Sequence, residues 1–276
     1  MGLIAKDSRA PAKAAMAIAA HPDDIEFLMA GTLVLLKQAG FATHYMTLSS
    51  GSCGSVRANA ERTRQARRRE SQAAAEILGA VHHPSLADDL EIFYELKTLR
   101  RLAAVIREVK PSVLLIPSPQ DYMEDHTNTC RLAVTAAFSR GMPNFKTTPA
   151  RPWISGDVAL YHALPHGLRD TLRQRVQAGV FVDTTSVHEI KQRALAVHSS
   201  QREWLDVSQG PGAYLETLDM MSLAIGAMSR SFRHAEGWRR HSHLGFCAEA
   251  ADPLREALGG RCRVNLEYES NLDIPQ

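Results

Sequence analysis

Ala19-Ala20-His21-Pro22-Asp23-Asp24-Ile25-Glu26 joins two apolar segments of different kind. Before it runs Ala14 to Ala20, short and uncharged, which predicts a buried strand. After it runs Phe27 to Ala39, long enough for a helix, with Gly40 placed just past its end as a C-cap. One imidazole and two adjacent carboxylates are therefore expected where a strand turns into a helix. In open α/β sheets the crevice beyond the carboxyl ends of the strands is where ligands bind. Pro22 fixes the path of the chain within that turn.

A His and an Asp at one turn are a donor pair for a divalent cation such as zinc, with a third ligand to come from elsewhere in the chain. The second carboxylate cannot easily point the same way and is free for acid–base work. The plainer reading is that Asp23 or Asp24 caps the helix and favours its dipole. Capping needs one aspartate, and two are present, which favours metal chemistry.

Ala-His-Pro-Asp-Asp after a first strand resembles the signature of the LmbE/PIG-L family of zinc-dependent N-deacetylases. Asp125-His126 resembles that family's second signature, and Ala194-Leu195 with His198-Ser199-Ser200-Gln201 is similar to a later family segment. The resemblance implies Zn2+, or another divalent metal, held by His21, Asp24 and His126, with Asp23 as general base. It implies Arg67 and Asp88 at the sugar substrate. Arg67 has the family's spacing before Glu70. Leu86-Ala87-Asp88-Asp89 is similar to a Leu-Pro-Asp-Gly loop, with Asp89 in place of Gly. Asp125 is expected to orient groups around His126, and Tyr122 to donate to an oxyanion.

One departure stands out. Where many family members have His-Pro-Asp-His, this chain has Met123-Glu124-Asp125-His126. A thioether cannot donate a proton. The leaving amine must then be protonated by Asp23 returning the proton it took, or by a late histidine. His234 to His243 is the richest late polar cluster, and His241 or His243 is the candidate, with His243 counted as catalytic.

The chain has 276 residues, 45% of them hydrophobic, enough for one large α/β domain with a sizeable core. The expected fold is α/β and Rossmann-like, a mostly parallel sheet flanked by helices, with a smaller C-terminal lobe. A single domain over 1–276 divides into a loose leader at 1–13, a metal-binding core over about 14–140 and the lobe over about 157–276. Strands are predicted at Phe41–Leu48, Val81–Pro84, Ser112–Pro117, Asp157–Leu164 and Val180–Asp183. Helices are predicted at Glu61–Leu78, Lys97–Val109, Thr127–Phe138, Val187–His198 and Tyr214–Met228. Residues 139–156 read as a loop that covers the site or joins a neighbouring subunit of a homo-oligomer. The chain beyond Glu267 reads as frayed or packed on a partner.

A formal charge of +2 gives no electrostatic case for nucleic acid, and the arginines of the 61–78 helix read as a solvated face. Cys53, Cys130, Cys247 and Cys262 form no CxxC pair, so a reduced, cytoplasmic setting is expected. No apolar run reaches membrane-spanning length. The expected partner is a small-molecule N-acylated amino sugar or glycoconjugate. A non-catalytic carbohydrate- or metabolite-binding protein on the same scaffold is the rival, supported by the missing His and opposed by intact His21, Asp23, Asp24 and His126. A nucleotide binder is disfavoured because the first turn lacks GxGxxG.

Overall fold

All six residues of β1 (Ala14–Ala19) are buried, with neighbours on every side. The computed structural model describes residues 13–202 and 212–272, so nearly all of the expected leader lies outside the described residues. β1 pairs in parallel with β2 (Ala42–Thr47) on one side and β4 (Val113–Ile116) on the other. β3 (Val81–His83) continues the parallel array beyond β2, and β5 (Ala159–Ala163) continues it beyond β4. The order β3-β2-β1-β4-β5 reverses direction of growth at β1, so β1 and β4 flank the switch point where α/β sheets open a crevice.

Side chains alternate across a strand, and β1 feeds two cores. Ala15, Ala17 and Ala19 pack on one face, Met16 and Ile18 on the other. The first face is covered by α2 (Ala30–Gln38), α3 (Ala60–Leu78), α6 (His188–Ala196) and the helix Ala213–Ser229. The second is covered by α4 (Leu96–Val109) and α5 (Glu124–Phe138). The expected boundaries hold within a few residues. α3 begins where the Asn59 side chain accepts from Arg62 N at 3.0 Å and stops at left-handed Gly79. α5 begins three residues early, which sets His126 inside its first turn.

The expected helix over Phe27–Ala39 is two helices, α1 (Asp24–Leu28) and α2, broken at Met29, where φ is −136°. The cause lies far away in sequence. Gly31 N and Thr32 N donate to the Glu236 carboxylate, each at 2.8 Å, so the chain re-enters the helix with a buried anion on its N-terminus. Lys191 Nζ neutralises that anion at 2.8 Å.

Glu236 belongs to β7 (Ala235–Arg240), inside the late polar cluster expected to bring a histidine back to the pocket. β7 runs antiparallel between β5 and β6 (Val180–Asp183), and β8 (Cys262–Val264) closes the far edge. The C-terminal third thus adds antiparallel strands to the same eight-stranded sheet. The described part of the end expected to fray is a helix, Leu266–Leu272.

Candidate active site

The turn after β1 is held in a rare conformation. Asp23 has φ 112°, a left-handed value that costs a non-glycine residue about 1–3 kcal/mol. Three contacts hold it there. Tyr214 Oη donates to Asp23 Oδ2 at 2.7 Å, Arg67 Nη2 lies 3.7 Å from the same oxygen, and Arg67 Nη2 also donates to the Pro22 carbonyl. His21 N donates to Asp24 Oδ2 at 2.8 Å, closing the turn from the other side. The two aspartates therefore point apart, one into a buried Arg–Tyr clamp and one back toward His21.

The first turn of α5, just after the loop that follows β4, supplies His126. Its Nε2 lies 3.3 Å from His21 Nδ1 and 3.4 Å from Asp24 Oδ2, and His21 Nδ1 lies 3.6 Å from Asp24 Oδ2. Bonds of 2.0–2.1 Å to a tetrahedral zinc place neighbouring ligand atoms about 3.3 Å apart, so the spacing fits such an ion. The far nitrogen of each ring is already engaged. His21 Nε2 donates to Asp125 Oδ2 and His126 Nδ1 to Asp121 Oδ1, both at 2.9 Å. Each carboxylate fixes a tautomer that turns a lone pair inward. Three electron-pair donors thus face one another, and only a cation or protons can sit between them. Among the described residues this is the sole such group of three.

The electrostatics agree. Burial lowers the His21 pKa, but the Asp125 and Asp24 carboxylates outweigh it and raise the ring to about 10. Burial raises Asp24, but His126 and His21 hold it well below the usual carboxylate range. Asp23 is raised, chiefly by burial, with Arg67 opposing. A raised carboxylate is the stronger base. A metal at the His21–Asp24–His126 group would take the place of the protons those groups otherwise hold.

A cavity of about 340 Å³ opens over this group. Asp23, Arg67, Tyr122 and Met123 line it together with the three metal-site residues. Arg67 is 2% exposed, and its Nε and Nη1 have no partner among the described residues. Gly51 is required beside it, because φ is +75° and a Cβ there would stand 2.5 Å from Arg67 Nε. Tyr122 packs edge-on against the His126 ring at 5.7 Å. Desolvation and the Asp24 and Asp121 carboxylates push its phenol up to about 12, so it keeps its proton.

Three expected residues sit elsewhere. Asp125 lies behind His21, where it also accepts from Leu90 N at 2.8 Å, and does not line the cavity. Asp88 bonds Ser50 Oγ and Arg64 Nε and lines a neighbouring cavity of about 380 Å³. Asp89, next in sequence, lines the main one and accepts from Gly51 N and Cys53 N at 2.8 Å. His243 closes a turn through its carbonyl and stands off the cavity, while His241 bonds the His162 ring at 2.9 Å.

Three residues that the sequence did not single out belong here, Asp121, His166 and Tyr214, together with Gln201 of the later family-like segment. Asp121 stands five residues before His126. His166 follows β5, a third strand end beside β4, and Leu164-Pro165-His166 repeats the pattern of an apolar strand running into Pro and His. Tyr214 is brought in only by tertiary packing.

Comparison with known proteins places this arrangement. The model of the GlcNAc-PI de-N-acetylase family, PIG-L, matches residues 16–137. The diacetylchitobiose deacetylase of Thermococcus kodakarensis is 30% identical over 234 residues, covering 82% of this chain and 82% of its own. The 4-oxalmesaconate hydratase of Pseudomonas putida is 30% identical over 204 residues, covering 71% of this chain and 77% of its own. The crystal structure of the 4-carboxy-2-hydroxymuconate hydratase of Pseudomonas putida superposes with a TM-score of 0.70 at 26% identity, over 83% of this chain and 95% of that one.

Proposed function

We propose a function for a chain that belongs to the GlcNAc-PI de-N-acetylase (PIG-L) family: metal-dependent hydrolysis of the N-acyl, in the first instance N-acetyl, group of an amino sugar or its conjugate. The observation that carries it is the trio of inward-facing donors on His21, Asp24 and His126, with the raised carboxylate of Asp23 beside them in one cavity. Zinc is the ion we assign, because two imidazoles and one carboxylate suit it and leave a position for water. When bound, the metal lowers the pKa of that water and polarises an acyl oxygen.

The remaining work falls to the chain. Asp23 takes the water's proton as the hydroxyl adds to the acyl carbon. The protonated phenol of Tyr122 donates to the oxyanion. Arg67, with two unpaired nitrogens, holds an oxygen of the sugar. The relatives' substrates support this reading, since one of them is a diacetylchitobiose deacetylase. The whole chain acts as one domain, and cytoplasmic residence fits its free cysteines. Among the described residues no helix is long and apolar enough to cross a membrane.

A hydratase is the second reading, favoured by the hydratase relative and by the two unpaired nitrogens of Arg67, which suit a substrate carboxylate. A screen of zinc-loaded protein on N-acetylated amino sugars and on unsaturated di- and tricarboxylates decides between them. We expect amine and acetate from the first group only, and a loss of about 10²–10⁴-fold in kcat for Asp23→Asn with metal retained. Hydration of the acids alone would give the second reading. Tight binding of an acetylated sugar without turnover would make the protein a binder.

A further inference from the structure

Hydrolysis of an amide needs a proton on the departing nitrogen, and Met123 cannot give one. The other proton-bearing groups that line the cavity are already engaged. His21, Asp24 and His126 face the metal position, and Asp23 is the base, clamped by Tyr214. The Asp89 oxygens accept from Ser49, Gly51 and Cys53. Tyr122, edge-on to the His126 ring, is committed to the oxyanion. Cys53 lies exposed at the rim.

His166 remains. It follows β5 directly, and its turn is fixed by left-handed Gly167 and Leu168, at φ 74° and 59°. Its ring stands edge-on to Phe27 at 5.1 Å, lies 6.5 Å from the Tyr122 ring and lines the same cavity as Asp23 and Asp24. Its ring nitrogens have no hydrogen-bond partner among the described residues. A half-buried imidazole on a cavity wall, held in place by aromatic packing and left unbonded, is a group kept for a ligand.

We propose that His166 is the catalytic acid, protonating the nitrogen that leaves; this rests on the deacetylase reading above. The hydroxyl has added to the acyl carbon and Asp23 holds the water's proton. As the C–N bond breaks, its electron pair stays on nitrogen and the imidazolium proton moves there. The amine and the carboxylic acid depart, His166 is left neutral, and solvent restores both protonation states. The sugar's nitrogen then lies on the His166 side of the cavity.

Leaving-group dependence tests it. Zinc-loaded parent, His166→Ala and His166→Gln are compared on N-acetylglucosamine and on 4-nitrophenyl acetate, counting only hydrolysis that Asp23→Asn abolishes. The amine is a strong base and needs the proton; 4-nitrophenolate leaves without one. Both variants should keep parental metal content, lose about 10²–10⁴-fold in kcat on the amide, and lose less than about 3-fold on the ester. Equal losses on both substrates, loss of metal, or a Gln variant near the parental rate would overturn the assignment, the last leaving His166 only a hydrogen-bond donor. A parent that hydrolyses neither substrate removes the deacetylase reading, and this assignment with it.

Discussion

The Lys191–Glu236 pair and the His21–Asp24–His126 group are both charge taken out of water, and they differ in what is left over. Both oxygens of Glu236 are satisfied, one by Gly31 N and Lys191 and the other by Thr32 N, and the residue is fully buried. Nothing there reaches solvent or a cavity. In the second group each outward nitrogen is satisfied by an aspartate while two ring nitrogens and a carboxylate oxygen crowd around one position facing the cavity. A closed network fixes a fold, here the break between α1 and α2. A network closed on its outside and open on its inside is built around a ligand.

The comparison breaks first at Glu236. Glu236→Ala leaves Lys191 buried without a partner and two helix N–H groups unpaired. We expect a loss of about 3–5 kcal/mol in unfolding free energy, read by urea denaturation, with zinc affinity of the folded fraction unchanged. A weakened zinc affinity would mean that the two networks are coupled through α1 and α2 and are not separate.

Asp121 and Asp125 sharpen it from the other side. Asp125→Asn and Asp121→Asn each let an amide nitrogen face a ring nitrogen and disturb its tautomer. Each should weaken zinc binding about 10–100-fold in competition titrations with a chelator. Unchanged affinity in both would show that the ring orientation is set by packing alone.

The sequence carried the first half of this structure because its signals are local. A short apolar run, HPDD and a capped helix are read within thirty residues, and the parallel order around β1 follows from strand–helix alternation. β7 was not legible, because Glu236, Arg239 and Arg240 make it look like surface. Lys191, forty-five residues earlier, and the Gly31 and Thr32 N–H groups make a buried glutamate tolerable there. The break at Met29 has the same origin. The grouping of His21, Asp24 and His126 was legible from two strand-end motifs, while the places of Tyr214 and His166 at the cavity were not, since helix and turn placement across the fold brings them there. Asp88 and Asp89 show the smaller error, in which adjacent carboxylates serve adjacent cavities.

Zinc stoichiometry tests the central claim, that His21, Asp24 and His126 hold one ion while Asp23 stands free for chemistry. The parent, Asp23→Asn, Asp24→Asn and His126→Ala are loaded with zinc, dialysed and measured for metal per chain by elemental analysis. The account predicts about one ion in the parent and in Asp23→Asn, and near none in the other two. Full occupancy in His126→Ala, or loss of the ion from Asp23→Asn alone, would contradict it.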